Sequence, residues 1–466
     1  MKKLTLLIAC TIIMSSAWSQ GNFSLYHMRG TPQALNVNPA FMPKAKIYMS
    51  LPLGMMNVGV SNSAFSFNDL MTRRADDSLE LNKTTLLKKL ANLNVLSMDV
   101  QQEVIGVGFK VKESYFSFSV VNRLKFNFLY PGDLIKLGLL GNGEFLNQRV
   151  SMDGLGVNLS SYMEYNFGYA RKIGELFEVG ARLKLISGIA NVNTRKSKLG
   201  LFTDPTTFAL TLDGSAEINT SNVDQIFSDS TFKASSLTSS AFNFNNKGVG
   251  LDLGGTFQMN DKVTLTASAI DLGSISWKSN TKNFILKDFS YTFDGIDLNK
   301  YFADSSASVF KNLQDSLEKV FQREENTANY KTALGSKFYV GANYEFTKSL
   351  SAGALLFSQV IKGKFVPGLS LSGNATIKNW LVASVSYTMY NNVFTNLGLG
   401  ISLRGGPVQF YFMTDNVLAF ISPLSAKSFH LCGGISIWIK DKNKKDKKQA
   451  KDVKEGGNAL PPAPIK

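Results

Sequence analysis

Residues 115–128, with the sequence YFSFSVVNRLKFNF, alternate between two kinds of side chain. The even positions are apolar apart from Asn122, whereas the odd positions are mainly polar and include Arg123 and Lys125. Successive side chains of a β-strand point to opposite faces, so this stretch predicts a strand with one apolar and one polar face. About ten such residues are what a strand needs to cross a membrane between lipid and a polar lumen.

The same alternation recurs in many segments of the chain. Polar faces carry Arg182 and Lys184 within residues 178–186, and Asp252 within residues 249–258; further examples are residues 337–346, 381–389, 397–403 and 434–439. We predict an all-β protein that forms a single antiparallel transmembrane β-barrel of about 14 strands over residues 45–440. The lumen-facing charges of this barrel are then Arg123, Lys125, Arg182, Lys184 and Asp252.

A soluble β-sandwich also alternates and is the alternative fold. Charges such as Arg182 and Lys184 lie well inside the predicted strands, and Tyr165, Phe167 and Tyr169 place aromatic rings on an apolar face. Such rings suit the aromatic girdle of a membrane barrel, and closure removes the edges of so large a sheet. Heat-modifiable migration on gels and recovery with the outer membrane would support the barrel, whereas recovery as a soluble periplasmic protein would contradict it.

The composition argues against catalysis and against nucleic-acid binding. The sequence has two histidines, His27 and His430, and neither lies at metal-ligand spacing from a partner. A Ser–His hydrolase would need one of these two as its base. The net charge of +15 is spread without a dense basic stripe. We therefore predict that the protein is not an enzyme, uses no metal or other cofactor, and binds no nucleic acid.

The N-terminus has the pattern of a secretory signal peptide over residues 1–19. Two lysines precede the apolar residues 4–14, and small residues indicate cleavage after Ser19. A lipoprotein box ending at Cys10 is the rival interpretation. Cleavage after Ser19 would leave Cys432 as the only cysteine, which excludes an intramolecular disulfide.

Three further segments interrupt or follow the strands. Residues 82–92 predict a helix that Asn82 caps, and residues 304–329 predict a one-faced helix of about four turns, which packs on the barrel rim or docks a partner. Residues 221–246 are rich in Ser, Asn and Thr and predict a solvated loop. Residues 441–466 are rich in Lys and Pro and predict a disordered tail, which an even number of strands would place in the periplasm with both ends of the barrel.

Several motifs together resemble one family. They are residues 35–43 (LNVNPAFMP), 47–52 (IYMSLP), 271–277 (DLGSISW), 293–297 (FDGID) and 411–416 (YFMTDN). They resemble the uncharacterised outer-membrane barrel family of Bacteroidota called domain of unknown function 5723, over about residues 35–440. The resemblance implies a barrel in the outer membrane and assigns no substrate.

The triplet Asn38-Pro39-Ala40 is similar to one near the N-terminus of the long-chain fatty-acid transporter superfamily, in which an N-terminal hatch closes the barrel. This resemblance implies that residues 20–44 fold into the lumen as a plug. Pro39 would fix a turn there, and Asn38 can hydrogen-bond the local backbone. The alternative is that the triplet only ends a loop.

Two classes of function stay open, both in contact with outer-membrane lipid. In the first, a hydrophobic or amphipathic small molecule enters through the plugged barrel, which predicts an apolar pocket that reaches the lumen beside the hatch. In the second, the barrel is a scaffold for a secretion or gliding machine of the cell envelope. That role predicts a lumen filled by side chains, and a protein partner that binds residues 304–329 or the tail.

Overall fold

The computed structural model describes residues 22–50, 54–223, 227–228, 231–232, 244–293, 323–361, 364–378, 380–390 and 393–440. The predicted signal peptide and tail lie outside these residues, as does most of the predicted helix 304–329. No helix among the described residues is long and apolar enough to cross a membrane.

Fourteen long strands form the wall of a closed antiparallel barrel. In chain order they are β1 (in two pieces, Ala45–Ser50 and Met55–Asn62), β2 (Leu93–Val111), β3 (Ser114–Pro131), β4 (Gly156–Ile173), β5 (Phe177–Thr203), β6 (Asn246–Gln258), β7 (Val263–Trp277), β8 (Lys337–Glu345), β9 (Leu350–Ile361), β10 (Lys364–Ile377), β11 (Leu381–Tyr390), β12 (Val393–Gly405), β13 (Val408–Thr414) and β14 (Ser428–Lys440). Each strand pairs with the next, and β14 pairs with both pieces of β1. The predicted fold class and strand number are confirmed.

The two ends of the barrel differ in their connections. Ala45 pairs with Lys440, so the first and last strands begin and end at the same rim. Short turns, such as residues 112–113 and 174–176, lie at that rim, whereas the long connections 63–92, 132–155, 278–336 and 415–427 lie at the other. Outer-membrane barrels have short periplasmic turns and longer extracellular loops. We call the two rims the short-turn rim and the long-loop rim.

The strands present an apolar face outward, as their alternation predicts. On β3 and β4 the outward rings of Phe116, Phe167 and Tyr169 are exposed, and Phe118 and Phe167 lie 5.1 Å apart between ring centroids. The same face carries exposed aliphatic side chains on other strands; examples are Leu183, Val249, Val340, Leu356 and Ile437. In water this belt would be unfavourable, whereas lipid covers it without cost.

The connections at the long-loop rim contain short helices: α2 (Phe67–Leu70), α3 (Lys83–Lys89), α4 (Gly132–Leu140) and α5 (Leu418–Ile421). The predicted helix 82–92 corresponds to α3. Its N-cap is Asn82, whose side chain accepts a hydrogen bond from the backbone N–H of Thr85 at 3.0 Å, as the sequence predicts.

The same sheet extends beyond the long-loop rim, and the sequence did not predict this extension. The far part of β5 pairs with Leu210–Ser221, which pairs with Thr281–Phe293, which pairs with Arg323–Asn326. The prediction of a helix over 304–329 is therefore wrong at residues 323–326. Pairing with a neighbouring strand, and not the local periodicity of the sequence, determines the structure of these residues. The remaining described residues of that segment follow this strand.

The predicted solvated loop 221–246 is also wrong at both ends. Ser221 and Asn246 are buried strand residues, and the Asn246 side-chain amide donates a hydrogen bond to the Ser221 hydroxyl at 3.1 Å. Phe227–Ser228 and Thr231–Phe232 pair as a small hairpin between them. The polar composition predicted a loop here. The Ser221 and Asn246 side chains instead bond to each other where β6 meets the sheet extension.

Candidate functional site

The N-terminal segment, residues 22–44, is buried against the inward face of the barrel. It contains α1 (Phe23–His27) and a 3₁₀ turn, Pro32–Asn36. The backbone N–H groups of Phe23 and Ser24 donate hydrogen bonds to the Asp415 carboxylate at 3.2 and 2.8 Å. This contact fixes the start of α1 near the end of β13, since a carboxylate stabilises the free N–H groups of a helix N-terminus.

Aromatic packing holds α1 against one half of the wall. The Phe23 ring meets Phe357 on β9 edge-on at 5.1 Å between centroids, and Tyr390 on β11 at 5.5 Å. Tyr26 stacks on Tyr339 of β8 at 5.2 Å. Leu25, Met28, Val37 and Phe41 join the same buried cluster, together with Leu355, Tyr411 and Met413 of the wall. This half of the lumen is therefore apolar and aromatic.

The triplet Asn38-Pro39-Ala40 lies against β5, β6 and β7 on the other side. The Asn38 side chain accepts a hydrogen bond from the Ala40 N–H at 2.9 Å and donates one to the Ala267 carbonyl at 3.2 Å. The first is the local turn contact that the sequence predicts for Asn38. The Ser268 hydroxyl donates a hydrogen bond to the Val37 carbonyl at 2.7 Å, so wall side chains also bind the backbone just before the triplet.

The five charged residues proposed from the sequence all lie on the inward face of β3, β5 and β6. Arg182 and Lys184 both contact Asp252, at 2.6 and 3.0 Å. Arg123 lies 3.4 Å from Glu164 of β4, and Lys125 donates a hydrogen bond to a backbone carbonyl at 2.8 Å. Buried charges need partners, because removing an ion from water is costly.

Asp271 of β7 joins this network, and sequence reasoning missed it. It pairs with Lys184 and lies 3.7 Å from Lys125. Alternation from Leu265 predicts that residue 271 faces lipid. A bulge intervenes, because the register of β6 with β7 shifts between Leu251 and Leu253 and Asp271 has a φ of 61°. A bulge places an extra residue in one strand, so the faces exchange beyond it.

The charge network also contacts the N-terminal segment. The Arg182 guanidinium donates a hydrogen bond to the Asn36 side-chain oxygen at 2.7 Å while its other nitrogens bind Asp252. The segment is thus held by aromatic packing on β8–β13 and by charged and polar contacts on β5–β7.

Two cavities bear on the predicted apolar pocket. A hollow of about 530 Å³ is apolar, but most of its lining faces lipid, including Val179, Leu265, Val340 and Leu356. It is separated from the lumen by the wall itself, where Thr266 bonds to the Tyr26 hydroxyl at 2.8 Å. A second cavity, of about 290 Å³, opens on the lumen face and is lined mostly by polar residues.

The two histidines have ordinary polar partners. His430 accepts a hydrogen bond from the Asp415 N–H at 3.0 Å and bonds through its other ring nitrogen to Asn57 at 2.8 Å. His27 lies 3.1 Å from the Ser370 hydroxyl, which is fully buried and also bonded to Thr388. Among the described residues, no group of three or more His, Cys, Asp or Glu side chains is arranged to hold a metal ion.

A closed fourteen-stranded barrel with an apolar outer face and a polar, charged lumen defines an outer-membrane β-barrel protein. Residues 39–415 match the model described as "Family of unknown function (DUF5723)", and the chain belongs to that family. The resemblance inferred from the sequence motifs is confirmed. No curated protein matches the chain.

Solved structures with a similar fold are bacterial barrels of low sequence identity. The toluene transporter TbuX of Ralstonia pickettii is 10% identical with a TM-score of 0.41, over 89% of this chain and 98% of that one. A FadL homologue of Pseudomonas aeruginosa is 10% identical with a TM-score of 0.38, over 91% and 99%. The translocator domain of the autotransporter NalP from Neisseria meningitidis is 7% identical with a TM-score of 0.29, over 85% and 89%.

Proposed function

We propose that the protein admits a small hydrophobic or amphipathic molecule through the barrel, and that residues 22–44 are the plug that closes it. The observation that carries this proposal is the aromatic packing of Phe23 and Tyr26 on Phe357, Tyr390 and Tyr339. When α1 withdraws, these wall rings lose their apolar partner. An apolar ligand can take its place, since burial of apolar surface drives such exchange.

A disulfide lock tests whether the segment must move. A Cβ atom at Gly398 of β12 would lie 2.6 Å from the Ser24 hydroxyl, so Ser24→Cys with Gly398→Cys brings two cysteines within bonding range. The Ser386 hydroxyl lies beside the same position and would have to rotate. The native Cys432 is fully buried and does not compete.

The assay is uptake of the hydrophobic dye N-phenyl-1-naphthylamine by intact Gram-negative cells that carry the protein. We expect the oxidised double variant to lose the uptake that the protein confers, and a reductant to restore it. The single variants Ser24→Cys and Gly398→Cys are the controls. Equal uptake with and without the disulfide would contradict a moving plug.

We further propose that the short-turn rim and both ends of the barrel face the periplasm, and that the protein is not an enzyme. The length difference between the two sets of connections supports the orientation. The burial of Ser370 beside His27, with no carboxylate bonded to that histidine among the described residues, supports the absence of hydrolysis.

A scaffold for a cell-envelope machine is the second candidate. The buried ion pairs of Arg182, Lys184 and Asp252 favour it, because they fill part of the lumen with side chains. The segments that would bind a partner are residues 304–329 and 441–466, and apart from residues 323–329 they lie outside the described residues. Purification with and without these segments, followed by mass spectrometry of bound lipids and proteins, separates the two roles: a lost protein partner favours the scaffold, and a retained lipid favours uptake.

A further inference from the structure

Asparagine side chains form a row across the inward face of three neighbouring strands. Asn127 of β3 pairs in register with Asn158 of β4, which pairs with Asn193 of β5. The row continues in register through the sheet extension as Asn219, Asn283 and Asn326. Strands lie about 4.8 Å apart, so the row is a regular ladder of amides.

A second polar row runs beside the first. On β3, β4 and β5 its members lie two residues away from those of the first row and therefore on the same face. It consists of Asp99, Lys125, Ser160 and Asn191, each in register with the next, on β2 to β5. The part of both rows that lies on β2 to β5 forms one side of the lumen cavity of about 290 Å³. Residues 331–335, Gln359 and Val360 form the opposite side.

Two residues that line this cavity each have a buried acceptor atom without a donor. Asp99 Oδ1 and Asn158 Oδ1 are buried and have no hydrogen-bond partner among the described residues. Buried acceptors without a partner are unfavourable, so a small rotation of either side chain that turns this atom towards a hydrogen-bond donor in the cavity would be favourable. By contrast, the Asn191 amide in the same cavity is satisfied by Ser160 and by the Tyr330 hydroxyl.

The charges around the cavity restrict the class of ligand. Lys125 lies in register beside Asp99 and lines the same cavity, which disfavours a metal cation there. The Asp99 carboxylate offsets Lys125 and disfavours an anion beside it, and the exposed Lys331 is the other charged residue of the lining. Amide, hydroxyl, carboxylate and ammonium groups together offer both donors and acceptors, the set that hydroxyl groups need.

We propose that this cavity binds a neutral polyhydroxylated ligand, one to two sugar rings in size. The volume lies at the lower end of the range for small-molecule sites, about 300–1,000 Å³. Sugar hydroxyls donate to Asp99 and Asn158 and accept from the neighbouring amides and lysines. This site is separate from the aromatic half of the lumen and does not depend on the plug.

The experiment is isothermal titration calorimetry on the full-length barrel in detergent with glucose, maltose and N-acetylglucosamine. Glycylglycine and glucuronate are the zwitterionic and anionic comparison compounds. We expect at least one neutral sugar to bind, and Asn158→Leu to weaken it by about tenfold or more. Asn343→Ala, on β8 and outside the cavity lining, should bind like the unaltered protein.

Heat-modifiable migration checks that each variant is folded. If Asn158→Leu does not fold, Asp99→Asn decides, because it keeps the size of the side chain and replaces one acceptor by a donor. No heat from any neutral sugar at about 10 mM would overturn the proposal, since even a millimolar Kd is detected there. Binding of only glycylglycine or glucuronate, or sugar binding that neither variant changes, would overturn it too.

Discussion

Gly180 and Gly254 give the sharpest test of how the N-terminal segment is held. They are register partners on β5 and β6, and the triplet Asn38-Pro39-Ala40 crosses directly over them. A Cβ atom at Gly180 would overlap the Pro39 carbonyl oxygen and lie 2.7 Å from the Ala40 nitrogen. These are backbone atoms, so no side chain can rotate away.

We expect Gly180→Ala to displace the part of the segment around the triplet without opening the barrel wall. Overpacking of one methyl group costs about 1–3 kcal/mol, which lowers the ratio of docked to undocked segment by about 5- to 150-fold. The upper part of this range applies here, because the overlap is with the main chain on a wall that is itself paired on both sides.

Hydrogen–deuterium exchange in detergent measures the effect directly. The backbone N–H groups of Ala34, Val37 and Phe41 are bonded within the segment and report its order. Their exchange rates should rise in Gly180→Ala by about the same factor by which the ratio of docked to undocked segment falls. Amides in the middle of β3 should be unchanged.

Gly255→Ala is the matched control, one residue along β6 on the lipid-facing side. A Cβ atom there meets only the Glu178 carbonyl oxygen, at 3.9 Å. Equal exchange in Gly180→Ala and Gly255→Ala would refute the reasoning, because it would mean that the triplet is not held against the glycine pair.

Two further predictions concern stability. Asp252→Asn leaves Arg182 and Lys184 partly unpaired in the lumen and should lower the free energy of unfolding by about 3–5 kcal/mol. Asp213→Asn removes the carboxylate of the more exposed Arg149–Asp213 pair and should lower the free energy of unfolding by about 1 kcal/mol or less. Urea unfolding in detergent compares the two variants, and equal losses would contradict the network. Asn82→Ala removes the N-cap of α3 and should lower the stability of that helix by about 1 kcal/mol. Amides of α3 should then exchange faster in Asn82→Ala than in the control variant Thr84→Ala, which changes an exposed residue of the same helix.

Period-two alternation was sufficient to predict the barrel and the direction of most side chains. Arg182, Lys184 and Asp252 lie on the inward face because their strands are regular between them and the short-turn rim. Asp271 could not be predicted, because the bulge beside Leu251 and Leu253 is a property of the pairing and not of one strand. The positive φ of Asp271 is a local sign of this bulge. It leaves no mark in the sequence, because Asp adopts a positive φ more readily than most other residues.

The asparagine row shows a different limit. Asn127, Asn158 and Asn193 are single polar residues within their own strands, and each is unremarkable in the sequence. Their alignment depends on the register of β3, β4 and β5, which a shift of one residue would destroy. A single sequence gives the faces of strands more readily than the register between them.

The contacts of residues 22–44 also bear on which part of the proposed plug would leave first. Residues 37–44 lead directly into β1 and are held to β6 and β7 through Asn38 and Val37. Phe23–His27 is separated from them by residues 28–36 and is held to the wall by side-chain and backbone contacts alone, with Thr266, Ser370, Thr414 and Asp415 as its polar partners. Opening should therefore begin at α1 while the triplet stays in place. A lock at Ser24 would then stop the proposed uptake, whereas Gly180→Ala would loosen residues 37–44 and leave α1 packed on its aromatic wall.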